Sequence, residues 1–192
     1  PMAVAAGVTH KALIPVAGRP MIAHVLDALR HSPAISHIAI SIEDTQALQA
    51  VAADCEILPA QARPSLSVLA AVEKLGTPLL VTTGDHALLK PEWIAYFLAH
   101  LPGADVAAAL ARSENVLTAT PGAKRTFLRF SDGKFSGCNL FYLANVRAKN
   151  AISFWREMEA HRKSPLKLAA RLGLFTLAVG PRSFSFRLAR LY

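Results

Sequence analysis

The feature that most constrains this chain is an alternation of strand-like and helix-like segments across residues 21–112. After Pro20, "MIAHVLDALRH" sets Ile22, Val25, Leu26 and Leu29 on one face at helical spacing, and Pro33 follows as a stop. Segment 35–43, "ISHIAISIE", alternates and then runs apolar, which predicts a strand. A helix is predicted over "DTQALQAVAAD" with Asp44 as its N-cap, and a short strand over "CEILPA". Next come a helix at 65–76, opened by serine and closed by glycine, and an apolar β-rich run at 77–85, "TPLLVTTGD", with the look of a buried parallel strand. "PEWIAYFLAHL" then starts a helix with Pro91 at its first position, and "ADVAAALAR" returns to strand. Strands joined by helices of this length imply right-handed crossovers and a parallel α/β sheet.

Beyond Arg112 the pattern changes. Segment 125–143, "RTFLRFSDGKFSGCNLFYL", is two alternating runs around Asp132-Gly133, a hairpin signal. Two helices are predicted after it, with Ser164 capping the second and Pro165 at its first position. There are no repeats and no low-complexity linker. At 192 residues, with 53% hydrophobic and 18% charged residues, the chain has the material for one sizeable core and is not a disordered one. We therefore expect a single domain over 1–192, continuing beyond one or both ends.

Charge is unevenly distributed. Residues 1–120 carry a net −3 and residues 121–192 a net +11, so the basic character belongs to the last third. That asymmetry suits a nucleic-acid or membrane surface, or a pocket for phosphorylated small molecules. No apolar run is long enough to span a bilayer and no signal peptide opens the chain, so the expectation is a cytoplasmic protein without stable membrane insertion. Cys55 and Cys138 lack zinc-ligand spacing and are expected to be buried, reduced thiols.

Two stretches fall where open parallel sheets bind ligands, at the carboxyl ends of strands next to helix N-termini. In "HKALIPVAGRPM", residues 10–21, Lys11 supplies a point charge, Gly18 permits close backbone approach, and Pro20 precedes a helix start. These are devices for anions. In "VTTGDHALL", Asp85 follows the buried strand and a glycine, so its carboxylate emerges at the sheet edge. Mg²⁺ takes one or two carboxylates together with phosphate oxygens and water, so one aspartate there can suffice. Asp85 as a plain turn or N-cap residue is the alternative.

The stretch "HKALIPVAGRPMIAHVLDAL" resembles the signature K-x-L-x-P-[LV]-x-G-x-P-[LM]-[LI] of MobA-like nucleotidyltransferases. "SLSVLAAVEKL" is similar to the family's S-V-x-x-A-L helix start, and "LLVTTGDHALL" to its metal-binding D-x-P-L strand end. Three blocks in order, over roughly residues 10–95, are far more specific than any one. The resemblance implies a Rossmann-like, three-layer α/β/α, GT-A-like fold: a mixed, mainly parallel sheet with an appended β-hairpin and C-terminal helices. It also implies that Asp85 binds Mg²⁺ and Lys11 contacts phosphate, both as catalytic residues, that Gly18 and Arg19 shape the phosphate loop, and that Ser67 lies near the nucleotide. Ser67 is equally a helix-cap candidate. "SGCNLFYL" resembles the strand whose asparagine touches the acceptor in sugar-nucleotide relatives, which points to Asn139; a buried asparagine serving structure is the competing explanation. The family runs a strand into L-A-G-G-x-G-x-R-M before the lysine, where this chain has "AAGVTH", with Gly7 the one glycine.

The expected activity is Mg²⁺-dependent transfer of a nucleoside monophosphate from an NTP to an acidic, phosphorylated small molecule. Lys124, Arg125, Arg129, Arg162 and Lys163 are candidates for holding that acceptor, against an ordinary solvated basic face. Two rivals remain: a glycosyltransferase of similar fold that uses a nucleotide sugar, and a basic nucleic-acid or membrane-binding module. The lysine loop suits a triphosphate better than a nucleotide sugar. No RNA-binding aromatic motif accompanies the basic third, so nucleic acid is not an expected partner. Nothing in the sequence fixes an oligomeric state.

Overall fold

The computed structural model describes residues 2–122, 126–130 and 132–161, the side chains of 157–161 excepted. A helical turn, α1 (Met2–Ala5), and a 3-10 turn (Lys11–Leu13) lead into a minimal hairpin, β1 (Pro15–Val16) and β2 (Arg19–Pro20). There follow α2 (Met21–Arg30), β3 (Ala39–Ile42), β4 (Glu56–Pro59), α3 (Pro64–Leu75) and β5 (Leu79–Thr82). The chain continues through α4 (Pro91–Ala99), β6 (Val106–Arg112), α5 (Ser113–Ala119), β7 (Leu128–Phe130), β8 (Gly133–Leu143) and α6 (Ala148–His161).

β3 and β4 pair in parallel, as crossover logic demands. The second sheet has the order β5-β8-β6, and β8 is antiparallel to both neighbours. β5 and β6, joined through α4, therefore run parallel to each other but do not touch. β7 pairs antiparallel with β8, with Phe130 opposite Gly133, so Gly133 is the first residue of β8 and not the second residue of a turn as expected. β8 is thus more than the return arm of an appended hairpin: its eleven residues form the spine of the sheet.

Alternation along the strands sorts the core into layers. Leu80, Ala107, Ala109, Leu140 and Tyr142 face Phe97 and Tyr96 of α4. On the opposite face Leu79, Val81, Val106 and Leu143 meet Val72 of α3 and Ala148 and Ile152 of α6. This is the three-layer α/β/α arrangement. The helical face predicted for α2 is the element that ties the parts together. Ile22 and Leu26 pack on Ile42, Leu48 and Ala52 beside the β3–β4 sheet, while Val25 and Ala28 pack on Leu89 and Ile94 beside β5 and α4. Leu26 and Ile94 are fully enclosed, and truncating either to alanine costs about 2–5 kcal/mol.

Three local expectations change. The strand predicted from residue 35 begins at Ala39. Residues 44–54 form successive turns rather than a helix: the Asp44 side chain accepts the Gln46 N–H at 2.9 Å, and most of the backbone bonds that follow are short-range, such as Ala47 N–H to Asp44 O. A side chain that satisfies nearby amides offers the backbone an alternative to helix. Leu48 and Ala52 of this segment are buried nonetheless, packed against α2 and the β3–β4 sheet. Cys55 and Cys138 are both free thiols but only half-buried, and burial pushes the Cys55 thiol up from its ordinary value. No helix among the described residues is long and apolar enough to cross a membrane.

Candidate active site

The site is assembled where β5 ends. After Thr82, residues Thr83, Gly84, Asp85 and His86 make a turn closed by the His86 N–H donating to Thr83 O at 3.1 Å. The turn rests on the 3-10 turn before β1, since the Cβ position at Gly84 lies 3.5 Å from side-chain carbons of Ala12 and Ile22. This packing delivers Asp85 to Lys11. The Lys11 ammonium donates to Asp85 Oδ2 at 2.5 Å, and the Thr83 hydroxyl donates to Oδ1 at 2.6 Å. The Lys11 hydrogen bond, and then that of Thr83, hold the Asp85 carboxyl below the ordinary aspartate range, so it is anionic at neutral pH. Both side chains stay accessible, Lys11 at 51% and Asp85 at 32% exposure.

Gly18 and Arg19 lie in the β1–β2 hairpin. Ala17 (φ 48°) and Gly18 (φ 79°) are its two central residues, both left-handed, which is the geometry of a type I′ turn. Gly18 therefore has a conformational reason to be glycine, and the space beside its Cα is open. Arg19 is tied back to α2 through Asp27 at 2.8 Å, and the His24 ring bonds Val16 O at 2.8 Å. The Met21 N–H, at the head of α2, is taken by Ile14 O. The phosphate loop expected here is a braced hairpin.

Ser67 sits in the first turn of α3, where its hydroxyl accepts the Gln61 N–H at 2.9 Å and anchors the loop before the helix. Asn139 is exposed, not buried, and adopts φ 51° where the β6–β8 register shifts. The β5–β8 ladder ends at Thr82 opposite Leu140, so Asn139 comes next to the Thr83 turn, at the same sheet edge as Asp85. Arg129 is exposed on β7 opposite Lys134. Lys124, Arg125, Arg162 and Lys163 lie outside the described residues. The structure thus brings Lys11 and Asp85 into contact and Asn139 to their edge, while Arg19 and Ser67 are held in other local interactions and Gly18 sits in the open hairpin turn.

Sequence reasoning missed Thr83, although a hydroxyl two positions before a carboxylate at a strand end is a recognisable turn pattern. It also missed a cleft of about 230 Å³ between α2 and the segment that leads into α4, lined by His24, Asp27, Ala28, His31, Ala87, Leu89 and Pro91. Among the described residues no three His, Cys, Asp or Glu side chains gather into a metal site.

A family model described as a MobA-like NTP transferase domain matches residues 5–171, spanning every block described above. The chain belongs to that family. The transferase domain also resembles a hypothetical transferase from Thermus thermophilus, at 32% identity over 88% of this chain and 71% of that one, with a TM-score of 0.76. A CMP:2-keto-3-deoxy-manno-octonic acid synthetase solved with CTP is similar in fold: 16% identity, TM-score 0.58, covering 83% and 78% of the two chains. So is a 4-diphosphocytidyl-2C-methyl-D-erythritol synthase from Anaerococcus prevotii, at 12% identity and TM-score 0.56, covering 75% and 68%. No curated protein matches the chain. This transferase domain is an enzyme of the nucleotidyltransferase kind, and its Rossmann-like architecture is the one the three sequence blocks implied.

Proposed function

We propose that the domain transfers a nucleoside monophosphate from an NTP to a phosphorylated small-molecule acceptor, with Mg²⁺ as cofactor and the cytoplasm as its setting. The observation that carries this is the contact between Lys11 and Asp85, a cation and an anionic carboxylate side by side at the carboxyl end of β5. A lone carboxylate is too little for a dedicated cation cage. It fits Mg²⁺ shared with substrate, because that ion keeps waters and takes phosphate oxygens beside one or two carboxylates. Bound there by Asp85, the metal would neutralise charge on the phosphate oxygens.

In the reaction an acceptor phosphate oxygen forms a bond to the α-phosphorus in line, the bond from that phosphorus to the β-bridging oxygen breaks, and pyrophosphate leaves with the electron pair. Such transfers ask little covalent chemistry of the protein, so positioning and charge neutralisation dominate. Lys11 supplies a positive charge to the triphosphate. In this reading Gly18, Arg19 and Ser67 serve the nucleotide and Asn139 the acceptor, and Lys124, Arg125 and Arg162, outside the described residues, are the further candidates for holding the acceptor. Fold neighbours that make CMP- and CDP-linked products are consistent with an NTP donor and a small acidic acceptor.

The test is thermal stability of the domain with each of four NTPs, with and without Mg²⁺, followed by pyrophosphate release against phosphorylated sugars, polyols and pterins. An NTP at one hundred times its Kd adds about 2.7 kcal/mol, or roughly 5–10 °C in a domain of this size. Asp85→Ala and Lys11→Ala should each remove the Mg²⁺-dependent shift and the turnover. No shift with any NTP and Mg²⁺ would refute the proposal, and turnover surviving in Asp85→Ala would refute its metal assignment.

A further inference from the structure

Resting on that proposed use of Asp85, the geometry points to Thr83 as a positioning residue, which fixes the orientation of the carboxylate that receives the metal. Two donors divide the carboxylate between them: the Thr83 hydroxyl holds Oδ1 at 2.6 Å and the Lys11 ammonium holds Oδ2 at 2.5 Å. The torsion that turns an aspartate carboxylate is broad and has no sharp rotamer wells, so the backbone alone leaves its plane free to rotate. Lys11 is a flexible, half-exposed point charge and does little to fix that plane. Thr83 is different in kind. Its branched Cβ stiffens χ1, and its own backbone is pinned by the His86 N–H on Thr83 O at 3.1 Å, so the hydroxyl is presented from a rigid place.

The consequence follows from the poverty of the site. With no cluster of three His, Cys, Asp or Glu side chains among the described residues, a cation here would lean heavily on Asp85, so the setting of its carboxylate matters. Mg²⁺ demands near-ideal octahedral geometry, which makes the angle of a single carboxylate matter. With the hydroxyl engaged on Oδ1, Asp85 would present a carboxylate of fixed orientation to a cation when the Lys11 ammonium serves a phosphate instead. Thr83 thus serves the cation without touching it, in the way hydrogen-bonded outer partners orient ligating groups elsewhere.

The experiment measures Mn²⁺ binding by electron paramagnetic resonance, with Mn²⁺ alone and with ATP, GTP, CTP and UTP in turn, on wild type, Thr83→Val, Thr83→Ser and Thr83→Ala. Valine keeps the shape and removes the hydroxyl, serine keeps the hydroxyl and removes the methyl, and alanine removes both. The expected result is a Mn²⁺ affinity in the best nucleotide complex lowered about 10-fold in Val and Ala and within about 2-fold of wild type in Ser. In turnover, the metal concentration for half-maximal rate should rise in Val more than kcat falls. Equal loss in Val and Ser, or affinity retained in Val and Ala, would overturn the assignment of Thr83. Failure of the wild type to bind Mn²⁺ with any NTP would overturn the proposed function and this inference together, so the two failures are told apart by the wild-type titration.

Discussion

Lys11 Nζ lies 2.5 Å from Oδ2 of Asp85, across 74 positions of sequence. Each group answers the charge of the other, so under the proposed function a cation approaching Asp85 would meet Lys11 as a competitor until a phosphate drew the lysine away. Lys11→Met should therefore split two affinities that most substitutions move together. Mn²⁺ binding without nucleotide should tighten severalfold, since a charge a few ångströms away is worth about 1 kcal/mol or more near a surface. NTP binding should weaken about 10- to 100-fold with the loss of a charge-assisted contact. Calorimetric titration of both ligands on both proteins measures the split.

Asn139 carries two separable demands, a left-handed backbone at φ 51° and a side chain at the Asp85 edge of the sheet. Asn139→Gly should keep the stability, because glycine takes that conformation freely, yet raise the acceptor KM severalfold, the worth of one hydrogen bond of about 1 kcal/mol. Asn139→Ala should raise the same KM and also lower Tm by roughly 2–4 °C, since a left-handed alanine costs about 1 kcal/mol. Melting curves and acceptor kinetics on the two variants separate backbone from side chain.

Asp105 ties the start of β6 to the loop before α6. It accepts from Asn145 Nδ2 at 2.7 Å and from Arg147 at 2.9 and 3.1 Å, and the Asn145 and then the Arg147 hydrogen bonds hold its carboxyl below the usual range. A depressed folded value means the ionised group favours the native state above the ordinary carboxylate value near 3.9, and that this support is lost as pH falls through the depressed one. The destabilisation caused by Asp105→Asn should be full at pH 7, no more than about 1 kcal/mol because Arg147 is open to solvent, and should fade as pH falls below the ordinary carboxylate value and through the depressed one. Melting temperatures of both proteins across that range give the curve.

Local periodicity was the reliable guide to the fold. Ile22, Val25 and Leu26 predicted the face of α2, and Pro91 the start of α4, because each depends on neighbours within one element. Asp44 misled as a helix N-cap, since the same carboxylate accepts the Gln46 N–H within a turn and no helix follows there. The place of β8 was illegible: an alternating strand does not announce which edges it joins. At the site, the juxtaposition of Lys11 and Asp85 came from the family resemblance, for no local pattern links residues so far apart. Gly18 and Arg19 are expected from the resemblance to shape a phosphate loop; the form of that loop, a hairpin with a left-handed pair at Ala17 and Gly18 and Asp27 as the partner of Arg19, is not legible from spacing alone.

The central place of β8 also bears on how the chain matures during synthesis. The ribosome releases β3, β4 and α2 early, and these can settle against one another through Ile22, Leu26 and Ile42. By the time Arg112 emerges, β5 and β6 both exist, yet the strand that bridges them ends at Leu143. Until then the nascent chain carries two unpaired strand edges, the kind of surface that recruits other chains. A stalled or truncated product ending between residues 112 and 143 is consequently an aggregation-prone species, even though every helix that flanks β5 and β6 before that point has already been made.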